Sequence, residues 1–262
     1  MAEAVVSEVA APAELFGLEG RVAIVTGASS GLGDRFARVL AAAGASVVGA
    51  ARRADRLERL ASEVQGVEAC QCDVSADADL EGLVAFTLER HGHVDVLVNN
   101  AGISGIYPAE EEPPEHFRRV VDVNLNALFV LSQIAGRAML ERGSGSVINI
   151  ASMYGLVGSA PVTHASYCAS KGAVVNMTRE MGAQWARRGV RVNALAPGFF
   201  PSEMASEMIT DERSAAYVRR NTPIGRPGQA QELDGALLFL ASDASSYVVG
   251  QTIAVDGGWT AR

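Results

Sequence analysis

The chain has 262 residues, with 22 Lys plus Arg against 30 Asp plus Glu, a net charge of −8, and 48% hydrophobic and 20% charged residues. This composition excludes a disordered, collagen-like or coiled-coil chain, and the length suits one α/β unit with a full core. A pI of about 5.1, with no dense Lys/Arg block, argues against a nucleic-acid partner, whose phosphates need a clustered positive field. Cys70, Cys72 and Cys168 are too few and too oddly placed for a disulfide framework and suit a reducing, cytoplasmic compartment.

Residues 1–19 carry Glu3, Glu8, Glu14 and Glu19 but no Lys or Arg, so the positively charged start of a signal peptide is missing. They read as a flexible leader to a single domain over residues 20–262. No uncharged apolar run approaches the roughly 18 residues of a membrane helix, and no membrane partner is expected. Beyond the leader, strand-length apolar runs alternate with stretches of helical period. The strands are expected at Arg21 to Thr26, Ala45 to Ala51, Val67 to Cys72, Val94 to Val98, Ser146 to Ala151, Val190 to Ala196 and Thr252 to Val255. The helices are expected at Gly31 to Ala43, Asp55 to Gln65, Ser75 to His91, Pro113 to Arg142 (with a break allowed), His164 to Arg188 and Gln229 to Ala241. This alternation predicts an α/β fold: one doubly wound, Rossmann-like parallel sheet of about seven strands, buried on both faces. Residues 199–227 break the rhythm. They carry Phe199, Phe200, Met204, Met208, Ile209 and Tyr217 without a convincing strand, and read as a lid inserted after the sixth strand; the alternative is a satellite cluster under a long loop.

The first strand runs into Thr26-Gly27-Ala28-Ser29-Ser30-Gly31-Leu32-Gly33 and then a helix. Such glycines let backbone approach a pyrophosphate, and a helix start offers unpaired N–H groups and the positive end of its dipole. Three residues separate Gly27 from Gly31, where the commoner dinucleotide fingerprint has one between its first two glycines. The second strand ends Ala51-Arg52-Arg53. An acidic residue at that point would bond a ribose 2′-hydroxyl, whereas arginine accommodates a 2′-phosphate, so NADP(H) is favoured over NAD(H) and Arg52 is the principal candidate. Asp73-Val74 closes the third strand and Asn99-Asn100-Ala101-Gly102 the fourth. Asp73 is either an acceptor for an adenine amino group or a cap for Ser75.

Tyr167 and Lys171 stand four apart on one helix face. A phenol titrates near 10, and bringing it near neutrality needs ~4 kcal/mol of preferential stabilisation of the phenolate, which a neighbouring ammonium has the right sign to supply. The strand ending Ile150-Ala151-Ser152 delivers a hydroxyl to the same edge, fit to bond a substrate oxygen, and Asn124 in the preceding helix is fit to hold a water against the backbone.

In sequence order, T-G-x-x-x-G-x-G (Thr26 to Gly33), D-V (Asp73, Val74), N-N-A-G (Asn99 to Gly102), Asn124, Ser152, Y-x-x-x-K (Tyr167, Lys171) and P-G (Pro197, Gly198) resemble the short-chain dehydrogenase/reductase family over residues 20 to 262. The resemblance implies NAD(P)(H)-dependent carbonyl and alcohol redox chemistry. By it, Tyr167 protonates the carbonyl oxygen, and Lys171 lowers the Tyr167 pKa and bonds the nicotinamide ribose. Ser152 orients the substrate oxygen and Asn124 holds a relay water. Gly27, Ser29, Ser30, Gly31, Leu32, Gly33, Arg52, Arg53, Asp73, Val74, Asn100, Ala101, Gly102, Pro197 and Gly198 would complete the cofactor site with Tyr167 and Lys171. Ser202 keeps the hydroxyl of the family's usual Thr, and the interval from Ser152 to Tyr167 is slightly longer than is common. The family also implies a homo-oligomer, a tetramer or dimer, which buries a segment like Val255 to Trp259 between subunits.

The flanks of these groups, Ile103, Ser104, Met153, Tyr154, Leu156, Val157, His164, Phe199, Phe200 and Met204, give a mostly apolar pocket. It suits a small, neutral or partly apolar ketone or secondary alcohol, with Arg213, Arg219 and Arg220 available for an acidic handle. No metal is expected: His91 and His93 lack a third ligand and end a helix, and Cys70 and Cys72 are read as facing opposite sides of a strand. Cys168 has no activating base beside it. The alternatives are a 3-ketoacyl-thioester reductase, a non-catalytic dinucleotide-binding sensor and a non-redox lyase or epimerase.

Overall fold

A computed structural model of the protein describes residues 10–204, 208 and 210–261. Seven strands, β1 (Val22–Thr26), β2 (Ser46–Ala51), β3 (Val67–Gln71), β4 (Val96–Asn99), β5 (Gly145–Ile150), β6 (Val190–Pro197) and β7 (Thr252–Val255), form one parallel sheet in the order β3-β2-β1-β4-β5-β6-β7. The helices are α1 (Pro12–Phe16), α2 (Gly31–Ala42), α3 (Ala54–Glu63), α4 (Asp77–His91), α5 (Pro114–Val121), α6 (Ala127–Arg142), α7 (Ala165–Trp185), α8 (Glu212–Asn221) and α9 (Asp234–Ala241).

Successive strand residues point to opposite faces, and both faces are covered. Ala23 and Val25 of β1 pack with Phe36, Leu40, Leu57, Leu60, Leu237 and Leu240 from α2, α3 and α9. Ile24, between them, faces Leu80, Leu83, Leu131, Met139 and Met181 from α4, α6 and α7. This double burial explains the near-continuous apolar runs. β3 departs from it, since at the sheet edge only Val67 of the strand is buried and Gln71 is exposed.

Strand order reverses between β1 and β4, opening a crevice at the carboxyl ends. The register pairs Thr26 with Ala50 and Asn99 with Asn149, so the Gly-rich turn, Arg52, Asp73, Asn100, Ser152 and Gly198 all leave the sheet at that edge. At the opposite end Asp95 ties β1 to α6: its carboxylate accepts from the Val22 N–H at 2.7 Å and from Arg142 Nη1 at 2.6 Å.

The expected helix from Pro113 to Arg142 is interrupted over Asp122–Asn126 by a π-helical stretch in which the Ala127 N–H donates to the Asp122 carbonyl. By length and composition Pro114–Arg142 is apolar enough to cross a membrane although no uncharged run marks it in the sequence; half of its apolar window is buried in the protein. Leu128, Leu131, Ala135 and Met139 point into the core. The last expected helix begins as a 3-10 turn over Ala230–Leu233.

Residues 1–9 of the leader lie outside the described residues, as do 205–207 and 209, with Ile209 among them. The rest of the leader is structured, with Pro12–Phe16 forming a helical turn and Leu18, 1% exposed, packing into the core. Cys70 and Cys72 lie against the same side cluster rather than on opposite sides, because a step of two along a strand returns to the same face. Burial pushes the Cys72 thiol up to about 12. His91 and His93 face different carboxylates, Nε2 of the first lying 3.0 Å from Glu68 and of the second 3.1 Å from Asp95. Among the described residues no group of three or more His, Cys, Asp or Glu is placed to hold a metal.

Candidate active site

A cleft of about 660 Å³ runs along the carboxyl edge of the sheet from the Gly-rich turn to Tyr167. Its floor at the turn is set by Thr26, whose hydroxyl accepts from the Asn100 and Ala101 N–H groups at 3.0 and 3.1 Å, while Asn100 Nδ2 donates to the Thr26 carbonyl at 2.9 Å. Gly27 and Gly31 have φ of 69° and 58°, the left-handed region that favours glycine. A Cβ on Gly27 would stand 2.8 Å from Asn100 Nδ2, and one on Gly31 would stand 3.2 Å from Ser202 Cβ. The missing side chains therefore leave a channel of backbone at the start of α2, where Ser30 makes no side-chain cap. That channel fits the pyrophosphate of a dinucleotide. Gly33 lies beneath rather than on the lining, where any Cβ would collide with the Gly27 carbonyl and the Asn100 amide.

The guanidinium that meets the turn belongs to Arg53, not to Arg52. Arg53 Nε donates to Ser29 Oγ at 3.1 Å and Nη2 to Ser30 Oγ at 2.7 Å. Arg52 lines the cleft but is exposed, and its carbonyl accepts from Gln71 Nε2. Arg53, at the N-cap of α3, is the residue turned back toward the glycines. Asp73 lines the cleft with Val74 and also caps: its Oδ1 accepts from the Ser75 N–H at 3.0 Å and hydroxyl at 2.7 Å, and these bonds hold its carboxyl below the usual range.

The π-helical stretch aims Asn124 inward. Its Oδ1 accepts from the Ile103 N–H at 2.8 Å, and its Nδ2 donates to the Ile103 carbonyl at 2.9 Å and Ser170 Oγ at 3.1 Å. The amide is committed to holding the β4 loop and does not line the cleft, so a water here would rest on backbone. Gly102 passes close over it, since a Cβ there would lie 3.2 Å from Asn124 Oδ1 and 3.7 Å from Lys171 Nζ. Lys171 is buried, donates to the Ile150 carbonyl at 2.6 Å, and sits 5.7 Å from the centre of the Tyr167 ring. Burial pulls its amine down to about 8. Burial pushes the Tyr167 phenol up, and a hydrogen bond with Ser152 pulls it back. In the protein alone it is therefore Ser152 whose bond favours the phenolate. Ser152 Oγ accepts from the Tyr154 N–H at 3.1 Å, which leaves its own proton to donate.

Beyond Tyr167 the wall is aromatic. Tyr154 lies 5.9 Å from His164, 6.1 Å from Phe199 and 6.3 Å from Trp259, measured between ring centres. Trp259 thus packs on its own chain, 5.4 Å from Phe199. His164 Nδ1 is 2.9 Å from the Gly105 carbonyl and 3.3 Å from Ser104 Oγ. A carbonyl only accepts, so Nδ1 carries a proton and donates it to Gly105. The Tyr154 hydroxyl is buried without a partner among the described residues.

Ser29, Ser30, Leu32, Ala101, Pro197, Gly198, Ser202, Ile103, Ser104, Met153, Phe200 and Met204 all line the cleft as well. Leu156, Val157, Arg213, Arg219 and Arg220 do not. Met208, expected in the lid, lines the cleft; sequence reasoning missed Glu203, Arg119 and Ile106 on the lining, and the buried ladder Asn99–Asn149–Thr178 that supports it, with bonds of 3.0 Å at each step. A polar residue inside an apolar strand, as in Ile148-Asn149-Ile150, is the signal that points to such a ladder.

A family model described as enoyl-(acyl carrier protein) reductase matches residues 27–260. The chain is 43% identical to galactitol 2-dehydrogenase (L-tagatose-forming) of Cereibacter sphaeroides over 94% of this chain and 97% of the relative. It is 41% identical to gluconate 5-dehydrogenase of Gluconobacter oxydans, again over 94% and 97%. A crystal structure of a gluconate 5-dehydrogenase from Burkholderia cenocepacia, in complex with NADP and tartrate, superposes with a TM-score of 0.90 at 38% identity, covering 96% of this chain and all of the other. These likenesses do not favour the acyl-thioester, sensor or lyase readings.

Proposed function

Because the chain belongs to the short-chain dehydrogenase/reductase family and is an NAD(P)(H)-dependent oxidoreductase that interconverts a carbonyl and an alcohol, we propose a neutral, multiply hydroxylated secondary alcohol and its ketone as its substrates. The observation that carries this reading is the lining beyond Tyr167. Ser104, Ile106, Met153, Tyr154, His164, Phe199, Phe200, Met204 and Met208 offer hydroxyl and imidazole partners and, among the described residues, no guanidinium. Arg119 also lines the cleft, and its charge acts on Asp73 at the end of β3; the reading assigns it to the adenosine end. A carboxylate entering the substrate end would find Lys171 as its sole cation among the described residues and would lose hydration there. The name galactitol 2-dehydrogenase is in keeping with a neutral polyol.

In this reading a bound nicotinamide accepts or supplies the hydride. During reduction Ser152 donates a hydrogen bond to the carbonyl oxygen, and Tyr167 passes its hydroxyl proton to that oxygen as the carbon becomes sp³. The Lys171 ammonium stabilises the phenolate left behind, offsetting the upward push of burial. In oxidation the same proton returns to Tyr167. Asn124 acts as a positioning residue, holding Ile103 and Ser170 against the site. NADP(H) is favoured over NAD(H) by Arg53 at the turn, with no acid at Ala51. Phe199, Phe200, Met204 and Met208 flank the substrate, and the protein works as a cytoplasmic homo-oligomer.

The test compares hexitols and hexuloses with the corresponding aldonates and ketoaldonates, using NADP(H). The neutral series is expected to give kcat/KM higher by at least about 10-fold. A preference for the acids by a similar factor would show that a cation reaches the substrate end and would overturn the assignment.

A further inference from the structure

One carboxylate at the cofactor end has an unusual set of partners. Glu203 follows the β6 loop, 147 to 173 residues along the chain from the groups it meets. Ser30 Oγ donates to its Oε2 at 3.1 Å, Arg53 Nη1 reaches both oxygens at 3.1 and 3.2 Å, and Arg56 Nη1 reaches Oε1 at 2.5 Å. Donors from the Gly-rich turn and from both ends of the first turn of α3 thus converge on one anion. Arg53 at the same time holds Ser29 and Ser30. Two guanidiniums and a hydroxyl directed at one point form a site for a dianionic oxyanion such as a phosphate monoester, and a single carboxylate leaves it one positive charge in excess. All three ionic side chains are 40 to 55% exposed, so exchange of one anion for another needs no core rearrangement.

We propose that Glu203 is a specificity-determining residue: its carboxylate occupies the anion subsite of Ser30, Arg53 and Arg56, and a cofactor's 2′-phosphate must displace it, whereas a free 2′-hydroxyl need not. This rests on the reading above that the cofactor's adenosine ribose lies against Arg53. A 2′-hydroxyl is a donor, so the carboxylate that competes with a phosphate can accept from the unphosphorylated ribose. Phosphate and carboxylate together would place like charges on the same two cations, which is why they compete rather than share. Glu203 therefore narrows the preference that the arginines set, drawing NADP(H) and NAD(H) closer in affinity.

The experiment is calorimetric titration of wild type, Glu203→Gln and Arg53→Ala with 2′,5′-ADP, 5′-AMP, NADPH and NADH. Loss of two exposed ion pairs corresponds to about 5-fold, so Glu203→Gln is expected to tighten 2′,5′-ADP and NADPH by about that factor. Binding of 5′-AMP and NADH is expected to be no tighter, and the 5′-AMP titration also reports that the variant is folded. Arg53→Ala is expected to weaken 2′,5′-ADP and NADPH selectively. If Arg53→Ala behaves so but the NADPH to NADH affinity ratio is unchanged in Glu203→Gln, the competition is refuted while the cofactor placement stands. If Arg53→Ala weakens all four ligands equally or none, the placement itself is wrong and the inference falls with it.

Discussion

Tyr167→Phe is expected to lower kcat/KM for ketone reduction by about 10³-fold while NADPH affinity stays within about 2-fold. The variant keeps the ring that packs 5.9 Å from His164 and 5.7 Å from Lys171 Nζ, so the wall and the buried amine retain their packing. What it removes is the group that gives a proton to the developing alkoxide. Ser152 remains to hold the oxygen, but its hydroxyl already accepts from the Tyr154 N–H and its own pKa is far too high for it to serve as the acid near neutrality. Steady-state kinetics with cofactor titration separate the two effects. More than a tenth of wild-type kcat/KM in the variant would mean that another group carries the proton.

Lys171→Met is expected to part activity from stability. In the proposed mechanism the ammonium offsets the charge of the phenolate left after proton transfer, and its loss should cost about 100-fold in kcat/KM. Yet the charge is buried at 4% exposure and donates to the Ile150 carbonyl at 2.6 Å, and burial draws the amine down to about 8 from 10.5. Between those two values the unfolded chain binds more protons than the folded one, so the wild type gains stability as pH rises through the window and bears the full penalty below it. That penalty is about 3 kcal/mol, and a Met side chain relieves it while leaving the Ile150 carbonyl without its partner, which returns about 1 kcal/mol. The variant should therefore be the more stable protein by about 2 kcal/mol at pH 7, and the gap should close between pH 8 and 10.5. Urea unfolding at pH 7 and pH 9.5 measures both. A variant less stable at pH 7, with a gap that does not change with pH, would show that the lysine is not held at a cost.

The alternation of apolar runs gave the sheet and its flanking helices because strands buried on both faces leave a continuous signature that periodicity can detect. The break allowed before Arg142 is the π-helical stretch at Asn124. Tyr167 and Lys171 were legible because a helix fixes how residues four apart relate. The choice between Arg52 and Arg53 was not, since the path of the chain where β2 gives way to α3 decides which guanidinium folds back, and no local pattern encodes it. Glu203 reaches the cleft, and Trp259 the back of its aromatic wall, by tertiary packing from distant segments, which a linear reading has no means to place. Cys70 and Cys72 were misplaced by a reading of strand geometry that period two contradicts. The buried ladder from Asn99 to Thr178 is signalled in the sequence only by Asn149 inside an apolar strand, which does not say which residues it pairs with.

The central claim is that this cleft brings a nicotinamide hydride to a carbonyl carbon whose oxygen Tyr167 protonates. Label transfer tests it most directly: NADPH deuterated at the transferable position, incubated with a hexulose and the protein, and the product alcohol analysed by mass spectrometry and NMR. Deuterium at the carbinol carbon, in proportion to cofactor oxidised and lost in Tyr167→Phe, is the expected result. Cofactor that binds yet returns with its label intact, leaving the ketone unreduced across the neutral and acidic series, would contradict the account.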